Sequence, residues 1–136
     1  MAGTPAGCVL LADRHHGLAE GVRGLLETMF ESVVMVADDA SLLKSASRLQ
    51  PELAVVDLSL GKQGDLRWLR ELRARCPTLP VIALSVHDES TVRAAALAAG
   101  ADDVVLKRAI ATDLLTAAER LVHQQQTPAA GGGEDR

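Results

Sequence analysis

Apolar runs of strand length alternate with stretches of helical periodicity along most of the chain. Runs rich in Val, Leu, Ile and Ala predict buried strands at residues 8–12, 32–37, 53–60, 80–85 and 103–107. Apolar residues spaced three and four apart predict amphipathic helices within residues 18–29, 42–49, 66–72, 89–99 and 112–122. Strands that alternate with helices through short connections predict one α/β domain, a doubly wound parallel sheet with helices on both faces.

Local composition predicts the limits of this domain and the surroundings of two residues. We expect Thr112 to cap the last helix and Trp68, in the third helix, to be partly exposed. Apolar periodicity is lacking near both ends of the chain. The predicted division is therefore a flexible N-terminus at 1–7, the domain at 8–123, and a disordered tail or truncated linker at 124–136.

A polar side chain stands at the end of four of the five apolar runs. These residues are Asp13, Asp57, Ser85 and Lys107. Because the carboxyl ends of parallel strands meet at one edge of the sheet, the four side chains should lie in the same crevice. A single Asp at a strand end is also consistent with an ordinary turn. The convergence of all four residues is what favours a functional site.

The residue types in this set suit phosphoryl transfer to a carboxylate. Such a reaction needs a nucleophile in line with phosphorus, cations near the equatorial oxygens and usually a Mg²⁺ held by carboxylates. We predict that Asp57 is the nucleophile and that Asp13 is an acid on the metal side. Lys107 would hold negative charge, and Ser85 would donate its hydroxyl to a phosphoryl oxygen.

Composition narrows the possible partners. Aromatic residues make up 1% of the chain and the formal net charge is -4, so we do not expect this chain alone to bind nucleic acid. The third predicted helix carries four arginines that we expect to form a solvated face: Arg67, Arg70, Arg73 and Arg75. No apolar run reaches bilayer length and the N-terminus lacks a positively charged start, which favours a cytoplasmic location without membrane contact.

Four motifs resemble those of receiver domains of two-component response regulators, the CheY-like family. They are residues 11–22 (LADRHHGLAEGV), 56–59 (VDLS), 83–86 (ALSV) and 100–107 (GADDVVLK). The first motif is similar to the opening of receivers that precede LuxR-type DNA-binding domains. The resemblance implies strand order 2-1-3-4-5 and phosphorylation of Asp57 by a sensor histidine kinase with Mg²⁺. It also implies a rearrangement, linked to Ser85, of the face formed by helix four, strand five and helix five. Separately, helix four has few polar residues, which favours a homodimer or a partner contact on that face.

One position departs from the family at the metal site. Receivers usually carry two adjacent acids after the first strand, and the second binds Mg²⁺ directly, but here that position is Arg14. In one alternative, which we prefer, its guanidinium replaces the metal charge beside Asp57 or a phosphoryl oxygen. In the other, it turns to solvent and a weaker Mg²⁺ site remains on Asp13, Asp57 and the Ser59 carbonyl.

Further departures concern switching and the first loop. Val104 replaces a frequent aromatic, while Asp103 and Arg108 stand where a Gly and a Pro are common, so ordinary switching is not expected. We expect His15 and His16 to be loop surface and not metal ligands. Two hypotheses follow: a receiver phosphorylated in a phosphorelay, and a phosphorylation-independent pseudo-receiver that acts as a protein-binding module. Neither predicts enzymatic turnover of a metabolite.

Overall fold

A computed structural model describes residues 6–126 of the chain. The strands are β1 (Ala6–Ala12), β2 (Phe30–Val36), β3 (Leu53–Asp57), β4 (Val81–Ser85) and β5 (Asp103–Leu106). The helices are α1 (His16–Leu26), α2 (Asp39–Leu49), α3 (Arg67–Arg75), α4 (Ser90–Ala99) and α5 (Ile110–Gln126). The predicted alternation of strands and helices is confirmed over this part of the chain, although β1 begins inside the segment predicted as a flexible N-terminus.

The strands form one parallel sheet in the order β2-β1-β3-β4-β5, which confirms the doubly wound fold. Successive side chains of a strand point to opposite faces. In β1, Val9 and Leu11 pack against α1 and α5, whereas Leu10 and Ala12 pack on the side of α2, α3 and α4. Burial on both faces explains why the strands read as continuous apolar runs. The topology brings the carboxyl ends of β1, β3, β4 and β5 to one edge.

The third strand is shorter than predicted, because its terminal acid reorganises the backbone that follows. β3 ends at Asp57, and Leu58–Leu60 form a 3-10 turn instead of continuing the strand. The Asp57 carboxylate accepts a hydrogen bond from the Ser59 N–H at 3.0 Å, as a capping residue does. The apolar run therefore predicted the buried strand correctly as far as Asp57, but its last three residues do not belong to that strand.

The last helix begins earlier and ends later than predicted. It follows directly on a 3-10 turn at Lys107–Ala109, so Thr112 lies in its first turn and is not its cap. The Thr112 hydroxyl instead donates to the Ala109 carbonyl at 3.1 Å. The helix continues to Gln126, past the predicted domain end at 123. The remainder of the predicted N-terminus and tail, 1–5 and 127–136, lies outside the described residues.

Trp68 is buried, which corrects the prediction of partial exposure. Only 4% of the residue is exposed, and its ring lies against the backbone of Gly61. A Cβ at Gly61 would come within 2.5 Å of the indole ring, so a glycine is needed for this close approach. Helical spacing places Trp68 at the edge of the apolar face, and it is the loop after β3 that covers it.

Arg73 joins α3 to the end of α4 and is not part of a solvated face, which corrects a second prediction. Its guanidinium donates to the Gly100 carbonyl at 2.8 and 3.1 Å and to the Asp102 carboxylate at 2.8 Å. Gly100 ends α4 with φ +127, in the region that favours glycine. A Cβ at Gly100 would lie 2.8 Å from the Arg73 Cβ, so conformation and space both require glycine here.

An ion-pair cluster joins α4, β5 and α5 on one face of the domain. The Asp103 carboxylate of β5 contacts Arg93 of α4 at 3.3 Å and Arg120 of α5 at 2.7 Å. Arg93 also donates to the Val104 carbonyl at 3.2 Å. Leu97 of α4 is 38% exposed on the same helix. This surface, the α4-β5-α5 face, therefore combines paired charges with exposed apolar area.

Candidate functional site

Two buried carboxylates lie at the carboxyl edge of the sheet. Asp13 directly follows β1 and is 4% exposed, and Asp57 ends β3 and is 2% exposed. The neighbouring strand pair β1 and β3 is in parallel register, so both acids emerge at the same level. Asp57 opens into a cleft of about 760 Å³ that Ser85 and Lys107 also line. The strand ends thus bring Ser85 and Lys107 to the cleft at Asp57, and Asp13 lies at the end of the neighbouring strand.

Lys107 provides the nearest cation to both acids. Its Nζ lies 2.9 Å from Asp57 Oδ2 and 3.9 Å from Asp13 Oδ2, and its side chain is 13% exposed. The short contact is a charge-assisted hydrogen bond, whereas the longer one is an ion pair without a hydrogen bond. Lys107 therefore pairs primarily with Asp57, as the phosphoryl-transfer interpretation requires.

Further donors stabilise the ionised form of Asp57. Burial opposes ionisation, but the Ser59 N–H donates to Oδ1 at 3.0 Å and Lys107 donates to Oδ2. Together these contacts hold the pKa of the Asp57 carboxyl below its usual range. The Ser59 hydroxyl donates to Oδ2 as well, at 3.0 Å. Asp57 is consequently an anion at neutral pH, with its position fixed from both oxygens.

Asp13 lies in a less favourable environment than Asp57. Its Oδ1 accepts the His15 N–H at 2.8 Å, but its Oδ2 is buried and accepts no hydrogen bond from the described residues. Burial and the neighbouring Asp57 carboxylate raise the pKa of the Asp13 carboxyl. The two acids are therefore unequal, and Asp13 is the one with an oxygen left to bind a further group.

His15 lies on the loop surface, as predicted, but its ring also reaches the two acids of the site. Its Nδ1 lies 3.2 Å from Asp13 Oδ1 and 3.3 Å from Asp57 Oδ2, although 57% of its side chain is exposed. The backbone hydrogen bond to Asp13, two residues earlier, forms a turn that directs the ring towards both acids. The Asp-x-His spacing could have predicted this turn, because an Asp at the end of a strand commonly accepts a hydrogen bond from the N–H two residues later. His16 remains exposed, 3.5 Å from Glu20.

Arg14 is exposed and makes no hydrogen bond with Asp57, the predicted partner within the chain. Its guanidinium donates to the Ser59 carbonyl at 3.4 Å, while the positions beside Asp57 are taken by Lys107 and His15. The structure thus matches neither alternative completely: Arg14 turns outward, but it covers the carbonyl assigned to a residual Mg²⁺ site. A Mg²⁺ ion prefers an octahedron of oxygens. The described residues offer it two carboxylates, a covered carbonyl and a nitrogen, so they fit Mg²⁺ poorly.

Ser85 is in the cleft but its hydroxyl is engaged elsewhere. The hydroxyl donates to the His87 carbonyl at 3.0 Å and accepts the His87 N–H at 2.9 Å, which closes a tight turn after β4. The residue is 3% exposed. A contact between Ser85 and a group on Asp57 would require this turn to open, so the predicted role of Ser85 stays a prediction.

The fold and the acid-lysine cluster define a class of protein, the doubly wound α/β domains with a five-stranded parallel sheet and a polar cluster at its carboxyl edge. The model of the response regulator receiver domain family matches residues 9–119. The chain belongs to this family, and its homologues include response regulators of the LuxR type. Receiver domains generally bind Mg²⁺ through acidic residues, and they are signalling modules, not classical enzymes.

Curated relatives and solved structures agree with this assignment. The chain is 30% identical over 126 residues to the response regulator MprA of Mycolicibacterium vanbaalenii, which covers 93% of the chain and 54% of the relative. It is 31% identical to the transcriptional regulatory protein PrrA of Mycobacterium tuberculosis, over 86% of the chain and 50% of the relative. The chain therefore spans about half the length of these relatives.

A similar solved structure is that of a two-component response regulator of the LuxR family from Aurantimonas sp. It superposes with a TM-score of 0.80 at 25% identity, over 88% of this chain and 86% of that one. Across residues 6–126, none of the helices combines the length and apolar character needed to cross a bilayer.

Proposed function

We propose that the protein receives a phosphoryl group on Asp57 from a sensor histidine kinase and transmits the signal through a change in its surface. The observation that carries the proposal is the charge-assisted hydrogen bond between Lys107 and Asp57, 2.9 Å, in a buried position at the edge of the cleft. An ionised, oriented carboxylate is the nucleophile that such a transfer requires. Phosphorylation by a kinase that uses ATP would take place in the cytoplasm, the predicted location.

The chemistry can be written with the residues of this chain. An Asp57 oxygen attacks phosphorus, the bond between phosphorus and the donor histidine of the kinase breaks, and the electron pair remains on that nitrogen. The new acyl phosphate carries more negative charge than the free carboxylate, so the Lys107 ammonium is the group that compensates it. Asp13 opposes that charge when it is ionised. Its raised pKa lessens this opposition.

A small phosphodonor tests the proposal without the kinase. We expect acetyl phosphate to add the mass of one phosphoryl group to the intact protein, and beryllofluoride to shift amide resonances near Asp57. Asp57→Asn should abolish both effects, whereas Asp38→Asn, an exposed acid at the start of α2, should preserve them. Modification that persists in Asp57→Asn would contradict the assignment of the acceptor.

The second candidate function is a phosphorylation-independent pseudo-receiver that binds a protein partner. The observation that favours it is the Arg14 guanidinium on the Ser59 carbonyl, which removes one oxygen from the metal site. The small side chain of Val104 in β5 is consistent with it, because the aromatic switch of many receivers has no equivalent there. A folded protein that is unchanged by both acetyl phosphate and beryllofluoride would support this candidate.

Two further partner assignments are part of the proposal. The α4-β5-α5 face, with its exposed Leu97, would pair with a second copy when the domain is activated. Sedimentation of wild type and Leu97→Glu, each with and without beryllofluoride, tests this pairing. Only wild type with beryllofluoride should form a dimer. Regulation of transcription would depend on another chain or domain, because this chain alone is not expected to bind nucleic acid.

A further inference from the structure

The first loop places a nitrogen donor between the two acids of the site. Asp13, His15 and Asp57 each offer one ligand atom, and these atoms lie within 4.8 Å of one another. The two distances from His15 Nδ1 are 3.2 and 3.3 Å. Two ligand atoms that are each about 2.1 Å from one metal ion are separated by roughly 3.0 to 3.4 Å, in octahedral or tetrahedral geometry. The two spacings from His15, to Asp13 Oδ1 and to Asp57 Oδ2, are therefore compatible with a shared ion.

A second observation indicates that this cluster lacks a ligand. Asp13 is 96% removed from solvent, with its side chain 0% exposed, and its Oδ2 accepts no hydrogen bond within the described part of the chain. A buried carboxylate oxygen without a donor is costly, and such atoms often face an ion or water. Lys107, at 3.9 Å, is too far from this oxygen to donate to it. Asp13 therefore has one uncommitted oxygen, Oδ2, beside the oxygen Oδ1 that lies near His15.

The charge of the pocket argues against a cation bound by electrostatics alone. Asp13 and Asp57 contribute two negative charges and Lys107 one positive charge, which leaves a single negative charge for a divalent ion. Mg²⁺ holds its water tightly and prefers oxygen ligands, so this pocket gives it little to replace that water. A first-row transition ion gains additional bonding from an imidazole nitrogen.

We propose that Asp13, His15 and Asp57 bind a first-row transition cation of the Zn²⁺ class in preference to Mg²⁺. His15 takes the place of the acid that Arg14 has replaced, and the metal ion takes the place of the proton on Nδ1. Arg14 remains outside the coordination shell, on the Ser59 carbonyl. The importance of this ion in signalling rests on the proposed function of Asp57, but its binding does not.

The test uses the metal alone, without a phosphodonor, so that its result is independent of phosphorylation. Calorimetric titration with Zn²⁺ and with Mg²⁺ should give a Zn²⁺ affinity roughly a hundredfold or more above that for Mg²⁺. His15→Ala should lower the Zn²⁺ affinity by at least about tenfold and leave the weak Mg²⁺ binding nearly unchanged. His16→Ala is the matched control, because it removes the exposed neighbouring imidazole and should change neither affinity.

A spectroscopic readout separates this site from adventitious binding. Co²⁺ as a substitute for Zn²⁺ should give visible d-d bands that disappear in His15→Ala and in Asp13→Asn. Both variants should remain folded by circular dichroism, since one side chain is largely exposed and the other change is nearly isosteric. Three results would each overturn the proposal. The first is equal affinity for Zn²⁺ and Mg²⁺, and the second is loss of binding in His16→Ala but not in His15→Ala. The third is a sulfur-to-cobalt charge-transfer band, which would indicate a cysteine ligand.

Discussion

Replacing Asp13 by Asn should make the folded protein more stable at neutral pH. Ionised Asp13 is attracted by Lys107 at 3.9 Å and repelled by Asp57, whose ligand oxygen is within 4.8 Å. At an effective dielectric constant of about 20, these energies are about -4 and about +3.5 kcal/mol, so they nearly cancel. The burial of the charge then decides the balance, and it is unfavourable.

The expected gain in the free energy of unfolding is about 1 to 3 kcal/mol, since a buried charge with incomplete compensation costs several kcal/mol at most. The Asn side chain can still accept the His15 N–H through its oxygen, and its amide group replaces the oxygen that accepts no hydrogen bond. Urea unfolding followed by the fluorescence of Trp68 measures the change, because it is the chain's one tryptophan and is 4% exposed.

The gain should depend on pH in a defined direction. Because the pKa of Asp13 is raised in the folded state, the unfolded chain loses this proton first as pH rises. The penalty on wild type is therefore absent below the ordinary carboxyl range, grows as pH rises from there to the raised pKa, and is constant above it. A less stable Asp13→Asn would show that attraction to Lys107 outweighs burial, and a difference that does not change with pH would show that the pKa of Asp13 is not raised on folding.

Four other substitutions test three separate parts of the structure. Gly100→Ala should lower the free energy of unfolding by about 1 to 3 kcal/mol, because φ is positive there and the new Cβ would clash with Arg73. Gly24→Ala is the control: it lies in an open helical position and should raise the free energy of unfolding by about 0.5 to 1 kcal/mol. Lys107→Ala should destabilise by about 3 kcal/mol and raise the pKa of Asp57, read from its carboxyl carbon resonance. Arg14→Asp should raise Mg²⁺ affinity, measured by calorimetry, because it supplies an acid and uncovers a carbonyl. Unchanged Mg²⁺ binding would refute that account.

The sequence predicted the strand ends well because the constraint there is topological. Any residue that closes a strand of a parallel sheet arrives at the same edge, so Asp13, Asp57 and Lys107 could be grouped from position alone. The sequence could not predict the direction of a side chain that depends on a local turn. The hydroxyl of Ser85 is held by its own loop, and the ring of His15 is directed inward from an exposed position.

Residues covered by distant loops were also misjudged. Helical periodicity describes one helix at a time, so it could not show that Trp68 lies under the loop after β3 or that Arg73 reaches the end of α4. Arg14 was identified as the unusual position, but its partner is a carbonyl. Every residue has a backbone carbonyl, so a sequence cannot indicate which carbonyl a side chain contacts. Such contacts are recognised only when the path of the backbone is known.

The ion-pair cluster at Asp103 has a consequence for any copy of the chain that docks on the α4-β5-α5 face. Arg93 and Arg120 are already neutralised by a carboxylate of their own chain. An incoming acid would share either arginine with Asp103 and be repelled by that carboxylate, so each ion pair formed across the boundary gains less than one with an unpaired arginine. Adhesion between copies would therefore have to come from dehydration of the aliphatic surface around Leu97, and would be strengthened, not weakened, by sulfate salts.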